Sequence, residues 1–104
     1  MIAEFCIIPI GGGSRFSGRL AKVLQLVDSS GLDYRLGPMG TSVEGGWDEV
    51  MGLIKRCHRL LLAESDRVWM TIKIDDRKDK RKGRGRLSAK VESVVRKSGR
   101  CLKT

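Results

Sequence analysis

An α+β fold of the ferredoxin-like type, a βαββαβ sandwich with an additional C-terminal helix, is what this sequence predicts, and three observations predict it. Segments 2–10 and 68–74 carry apolar residues with the period of two that marks a strand. Between them, the segments around 20–27 and 47–63 repeat apolar residues at helical spacing. Two short β-favouring runs joined by the turn GPMG separate those helices. Four strands and two helices in this order place both helices on one face of a four-stranded antiparallel sheet.

The first strand carries Ala3, Phe5 and Ile7 on one face and Ile2, Cys6 and Ile8 on the other, so both faces are largely apolar, with Glu4 the exception. Gly11, Gly12 and Gly13 break it, and Ser14 or Ser17 is placed to cap a helix whose stripe is Leu20, Val23, Leu24 and Val27. Gly31 follows as its stop. Tyr34 and Leu36, then residues 41–44, read as a hairpin, with Pro38 confined to the connection or an edge. The second helix is expected over 47–63, with Asp48 and Glu49 at the positive end of its dipole and Trp47, Val50, Met51, Ile54 and Leu61 on its buried face. In the last strand Val68, Met70, Ile72 and Ile74 face one way, and Trp69, Thr71 and Lys73 the other. A basic loop over 77–86 leads to a short helix over 87–98 whose stripe is Leu87, Val91, Val94 and Val95.

The length of 104 residues predicts one domain spanning 1–104. No run of about 18 apolar residues is present, which excludes a membrane-spanning helix, and the start lacks the basic region of a signal peptide. Cys6, Cys57 and Cys101 are odd in number, widely spaced and without a C-x-x-C pair, which predicts reduced thiols and a cytoplasmic location. With His58 as the single histidine, no structural zinc site and no cofactor is expected. Up to Asp76 there are nine Lys/Arg against ten Asp/Glu, and from Arg77 onward twelve against two, so the net charge of +9 belongs to the last quarter.

The segment PMGTSVEGGWDEVMGLIKRCH, over 38–58, joins an extended run to an amphipathic helix through Gly45 and Gly46. With IAEFCIIPIG at the start and TIKIDDRKDK later, it resembles the YkoF-like family of small thiamine-binding proteins, over nearly the whole of 2–97. The resemblance implies a ferredoxin-like fold, assembly into dimers or tetramers, and binding of thiamine or its hydroxymethylpyrimidine moiety. None of the three blocks is a catalytic signature. GGGSR departs from the usual family pattern, in which a polar residue interrupts the glycines.

A site for thiamine needs an apolar or aromatic slot with a few fixed polar groups, often including a carboxylate. Position by position, the family's blocks fall on Pro9, Ile10 and Gly11, on 41–45, and on 73–77. The resulting candidates are Thr41, Ser42, Glu44 and Ser14 as polar contacts, the backbone around Ile10 and Gly11, Lys73 and Asp75 on the last strand, and Met39 or Trp69 as apolar wall. Structural alternatives stand beside them: Glu44 paired with Lys73 across the sheet, Thr41 serving strand propensity alone, and the glycine run forming a tight turn rather than an anion cradle. Asp75, Asp76 and Asp79 suggest a magnesium site, against which Arg77, Lys78, Lys80 and Arg81 argue for ion pairing. Cys57 and His58 are adjacent on a helix and point about 100° apart, so they do not form a nucleophile and base.

The sheet face without helices would expose more apolar area than a soluble monomer tolerates, which predicts a homodimer through that face, paired again as a homotetramer in the fuller form. The reading is a non-enzymatic protein that binds thiamine or a related pyrimidine at a strand-end or oligomer-interface site. The alternative is a nucleic-acid or acidic-partner module using the basic 77–103 segment, disfavoured because no aromatic residue interleaves the basic run RKDKRKGRGR.

Overall fold

The computed structural model describes residues 1–13, 16–78 and 86–104. Its elements are β1 (Ile2–Ile10), α1 (Phe16–Ser29), β2 (Asp33–Leu36), β3 (Thr41–Glu44), α2 (Trp47–Ala63), β4 (Arg67–Asp75) and α3 (Arg86–Ser98). The four strands form one sheet in the order β2-β3-β1-β4, with every neighbouring pair antiparallel. This is the ferredoxin-like arrangement, with α3 added after the last strand.

The register decides which side chains meet. Along β1 and β4, Ala3 faces Ile74, Phe5 faces Ile72 and Ile7 faces Met70 on one side of the sheet. Ala3, Phe5 and Ile7 are buried together with Val43 of β3, Val23 and Val27 of α1, and Val50, Leu53, Ile54, Cys57 and Leu61 of α2. Full burial of a Val, Leu or Ile side chain contributes about 1.5–3 kcal/mol, so these residues anchor both helices to this face. Ile74, the last of the β4 series, is 41% exposed at the sheet's end.

Trp47 does not begin the buried stripe of α2; it is 54% exposed, and the stripe starts at Val50. A side chain at the first helical position leans over the chain before the helix. There Gly45 and Gly46 offer nothing to pack on. The start of α2 is secured by polar bonds, because the Gly46 N–H donates to Glu49 Oε1 at 3.0 Å. In α1, Ser17 lies inside the helix and is no cap, whereas Ser14 lies outside the described residues.

The glycine run is a turn locked to the α2–β4 connection. Gly12 has φ +88°, and a Cβ there would collide with the Glu64 carbonyl oxygen. The side chain of Arg19, 6% exposed, donates to the Gly11 carbonyl and to Ser65 Oγ at 2.9 Å. The Asp66 N–H closes the junction on the Ile10 carbonyl at 3.1 Å.

The predicted stripe of α3 does not pack on the body. Leu87 is buried, but Val91 and Val94 are 46% and 61% exposed. The helix-bearing face is already filled by α1 and α2, and α3 meets the opposite face through its N-terminal part, from Arg86 to Lys90.

Candidate ligand-binding site

Strand alternation sorts the second face of the sheet into rows. At one end lie Asp33, Glu44, Ile2 and Asp75, and next to them Arg35, Ser42, Glu4 and Lys73. Cys6 and Thr71 follow, then Ile8 with Trp69, then Ile10 with Arg67. The face is therefore charged at one end and apolar at the other, where Trp69 is 55% exposed with the Arg67 guanidinium 5.6 Å from its ring centre.

This order separates the sequence candidates into two groups. Glu44, Asp75, Lys73 and Ser42 share the charged end, whereas Trp69, Ile10 and Gly11 lie at the other, from about 13 Å between the Lys73 and Trp69 rows to about 26 Å between the Asp75 and Ile10 rows at roughly 3.3 Å per residue of strand. One small molecule does not reach both. Met39 is 82% exposed on the β2–β3 turn, which lies away from Glu44. Thr41 is buried on the helix-bearing face opposite Phe5, away from the row that carries Ser42.

Glu44 does not pair with Lys73, because β1 runs between their strands; Lys73 bonds Glu4 instead, at 2.9 Å. Glu44 is 8% exposed, and its carboxylate caps α3: Oε2 accepts from the Arg86 N–H at 3.3 Å and Oε1 from the Leu87 N–H at 3.2 Å. Asp75 accepts from Lys90 and, at 3.2 Å, from Arg86 Nη2. The hydrogen bond from Lys90, with the fields of Lys90 and Arg86, holds the Asp75 carboxyl below the usual carboxylate range. Asp75 is thus ion-paired with Lys90 and Arg86, and Asp79 lies outside the described residues. Among the described residues no group of three or more His, Cys, Asp or Glu is placed to hold a metal ion.

Beside Glu44 the ends of β1 and β3 open onto a cavity of about 650 Å³. Its wall includes Glu44, Gly45, Gly46 and Glu49 from the β3–α2 junction, Asp33 and the Gly31 turn from the α1–β2 junction, and Met1. The size is that of a small-molecule site. Each carboxylate is already oriented: Glu49 by Gly46, Asp33 by Arg35 at 2.8 Å, and Glu44 by α3. Such oriented carboxylates, with exposed backbone groups, are chemistry for holding a cation or an amino-heterocycle.

Of the residues lining this cavity, the sequence reading names Glu44 and not Asp33, Glu49 or the Gly31 turn. Their signal was the pair of glycine-bearing junctions at 30–33 and 44–46, which leave the strand ends without side chains to fill the space. Cys57 is fully buried, and that burial pushes its thiol up to about 11, leaving no nucleophile beside His58 at neutral pH. No helix among the described residues is long and apolar enough to cross a membrane.

A family model described as thiamine-binding protein matches residues 3–95. A UPF0045 protein of Methanothermobacter thermautotrophicus is 40% identical over 98 residues, spanning 91% of this chain and 96% of its own. The crystal structure of a hypothetical protein from Methanocaldococcus jannaschii aligns with a TM-score of 0.73 at 33% identity over 94% of each chain. A Thermotoga maritima protein described as one of thiamine biosynthesis or salvage aligns with a TM-score of 0.66 at 25% identity, over 73% of this chain and 82% of its own.

Proposed function

The chain belongs to the thiamine-binding protein family, and from that membership we propose that it binds thiamine or a related hydroxymethylpyrimidine metabolite without chemically changing it. The observation that carries this reading is the cavity of about 650 Å³ at the family's TSVEG block, with the acidic residues Asp33, Glu44 and Glu49 among those lining it. The thiazolium ring of thiamine is a permanent cation, which this wall attracts because its three acidic residues outnumber the Met1 ammonium, itself bonded to the Gly45 carbonyl at 2.9 Å. The aminopyrimidine both donates and accepts, and the backbone of the Gly31 turn, which lines the cavity, offers it partners. The role is storage or delivery of the metabolite in the cytoplasm. Trp69 and Ile10, outside the cavity, serve assembly rather than ligand contact.

Calorimetric titration with thiamine, at two salt concentrations and against a short RNA as control, tests the reading. Saturable binding near one per subunit is expected. Glu49→Gln keeps the bond from the Gly46 N–H and removes one charge, so it is expected to weaken thiamine binding about tenfold, roughly 1.4 kcal/mol, and to leave the neutral hydroxymethylpyrimidine nearly unaffected. RNA binding that collapses as salt rises, with no heat from thiamine, would instead assign the function to the basic segment.

A further inference from the structure

The last helix of this fold is held at one end. Arg86 and Leu87 are buried, while Ala89, Lys90, Val91, Glu92 and Val94 are exposed. The attachment consists of the two backbone bonds to Glu44, the bonds of Arg86 and Lys90 to Asp75, and one from Arg35 Nη2 to Ser88 Oγ at 2.7 Å. Two features keep it weak. The Asp75 and Lys90 side chains are 44% and 57% exposed, so their pairing is screened by solvent and salt. Arg86 Nη1 is buried without a hydrogen-bond partner, a cost present only while the turn is docked.

Glu44 belongs to two places at once. It lines the strand-end cavity, and it accepts from the Arg86 and Leu87 N–H groups at the positive end of α3. A cation held against Glu44 from the cavity would meet a carboxylate whose charge is already engaged, and would face the helix end and Arg86 as like charges. The two interactions therefore oppose each other, and by linkage each weakens the other by the same factor.

We propose that α3 is a latch on the strand-end cavity, docked on Glu44 when the cavity is empty and released when a cationic ligand engages that carboxylate. The proposal rests on the thiamine-binding reading above. Asp75→Asn and, separately, Lys90→Ala loosen the latch without altering the cavity wall, and circular dichroism identifies whichever variant folds as the wild type does. Thiamine is titrated into wild type and variants by calorimetry, and amide hydrogen exchange at Arg86 and Leu87 is followed with and without saturating thiamine. Binding about fivefold or more tighter in the variants, with loss of protection at both amides on saturation, is expected. Equal affinities with unchanged protection would overturn the latch and leave thiamine binding standing. Absence of binding to every protein would overturn both, since nothing would then draw Glu44 from the helix.

Discussion

Cys57 illustrates how a single buried position decides chemistry. Adjacent Cys and His invite a catalytic reading, but the thiol is fully enclosed by the core and its proton is held up to about 11. The cause is desolvation of the thiolate, which the nearby Arg56 charge only partly offsets. Because the folded-state value lies above the unfolded one near 9, the neutral thiol favours folding at all lower pH. That contribution is lost as pH rises from about 9 through about 11. Denaturation midpoints at pH 8 and pH 10.5 should therefore fall further in wild type than in Cys57→Val, where nothing titrates at that position. Iodoacetamide at pH 8 should modify the exposed Cys101 and spare Cys57 in the native protein. Rapid alkylation of native Cys57 would contradict this account.

At the scale of elements, the turn after β1 shows why three glycines stand together. Gly12 combines φ +88° with a backbone oxygen where a Cβ would sit, so Gly12→Ala carries both torsional strain and an overlap that no side-chain rotation relieves. A loss of about 2–3 kcal/mol is expected, roughly 10 °C or more in Tm for a chain of this size. Gly13 has φ +74° but open space around its Cβ, so Gly13→Ala should cost about 1 kcal/mol, from torsion alone. Equal losses in the two variants would remove the steric part of the argument. The elements themselves follow from periodicity: β1, β3 and α2 fall on the residues that alternation and helical spacing assign, because each buries its apolar side in one shared core. Long-range partners do not follow in the same way. The assignment of Glu44 to Lys73 fails because periodicity gives each strand its faces and not its neighbours, and β1 separates the two. The capping of α3 by Glu44 joins residues 42 and 43 positions apart, a pairing for which no local pattern exists. The cavity has the same origin, being built from two junctions that meet only once the sheet has formed.

Across the whole molecule, the second sheet face divides into a charged end occupied by the first turn of α3 and an apolar end where Ile8, Ile10 and Trp69 are 39%, 40% and 55% exposed. A flat apolar patch of this kind, rimmed by Arg67, Thr71 and Lys73, has the composition of an interface core with a polar border. Its two-fold self-pairing would bring like residues of two copies together, as closed dimers do. Polar rows toward Glu44 carry unequal charges, Glu4 beside Lys73 and Asp33 beside Arg35, which would limit how far the second copy slides along the strands. A stable dimer requires about 1,200–2,000 Å² of buried surface, more than these three side chains supply, so the Lys73 and Thr71 rows must also be covered. Sedimentation velocity at micromolar concentration should accordingly give a dimer or a larger even assembly. Trp69→Glu should shift it to monomer, because two carboxylates would be buried near the symmetry axis in an apolar patch. The apolar stripe of α3 provides the comparison: Val94→Glu, on the helix rather than on the strands of this patch, should leave the sheet-face dimer intact and at most separate a tetramer into dimers. Monomeric wild type at that concentration would leave the exposed Trp69 and Ile8 unexplained by assembly and return them to consideration as ligand contacts.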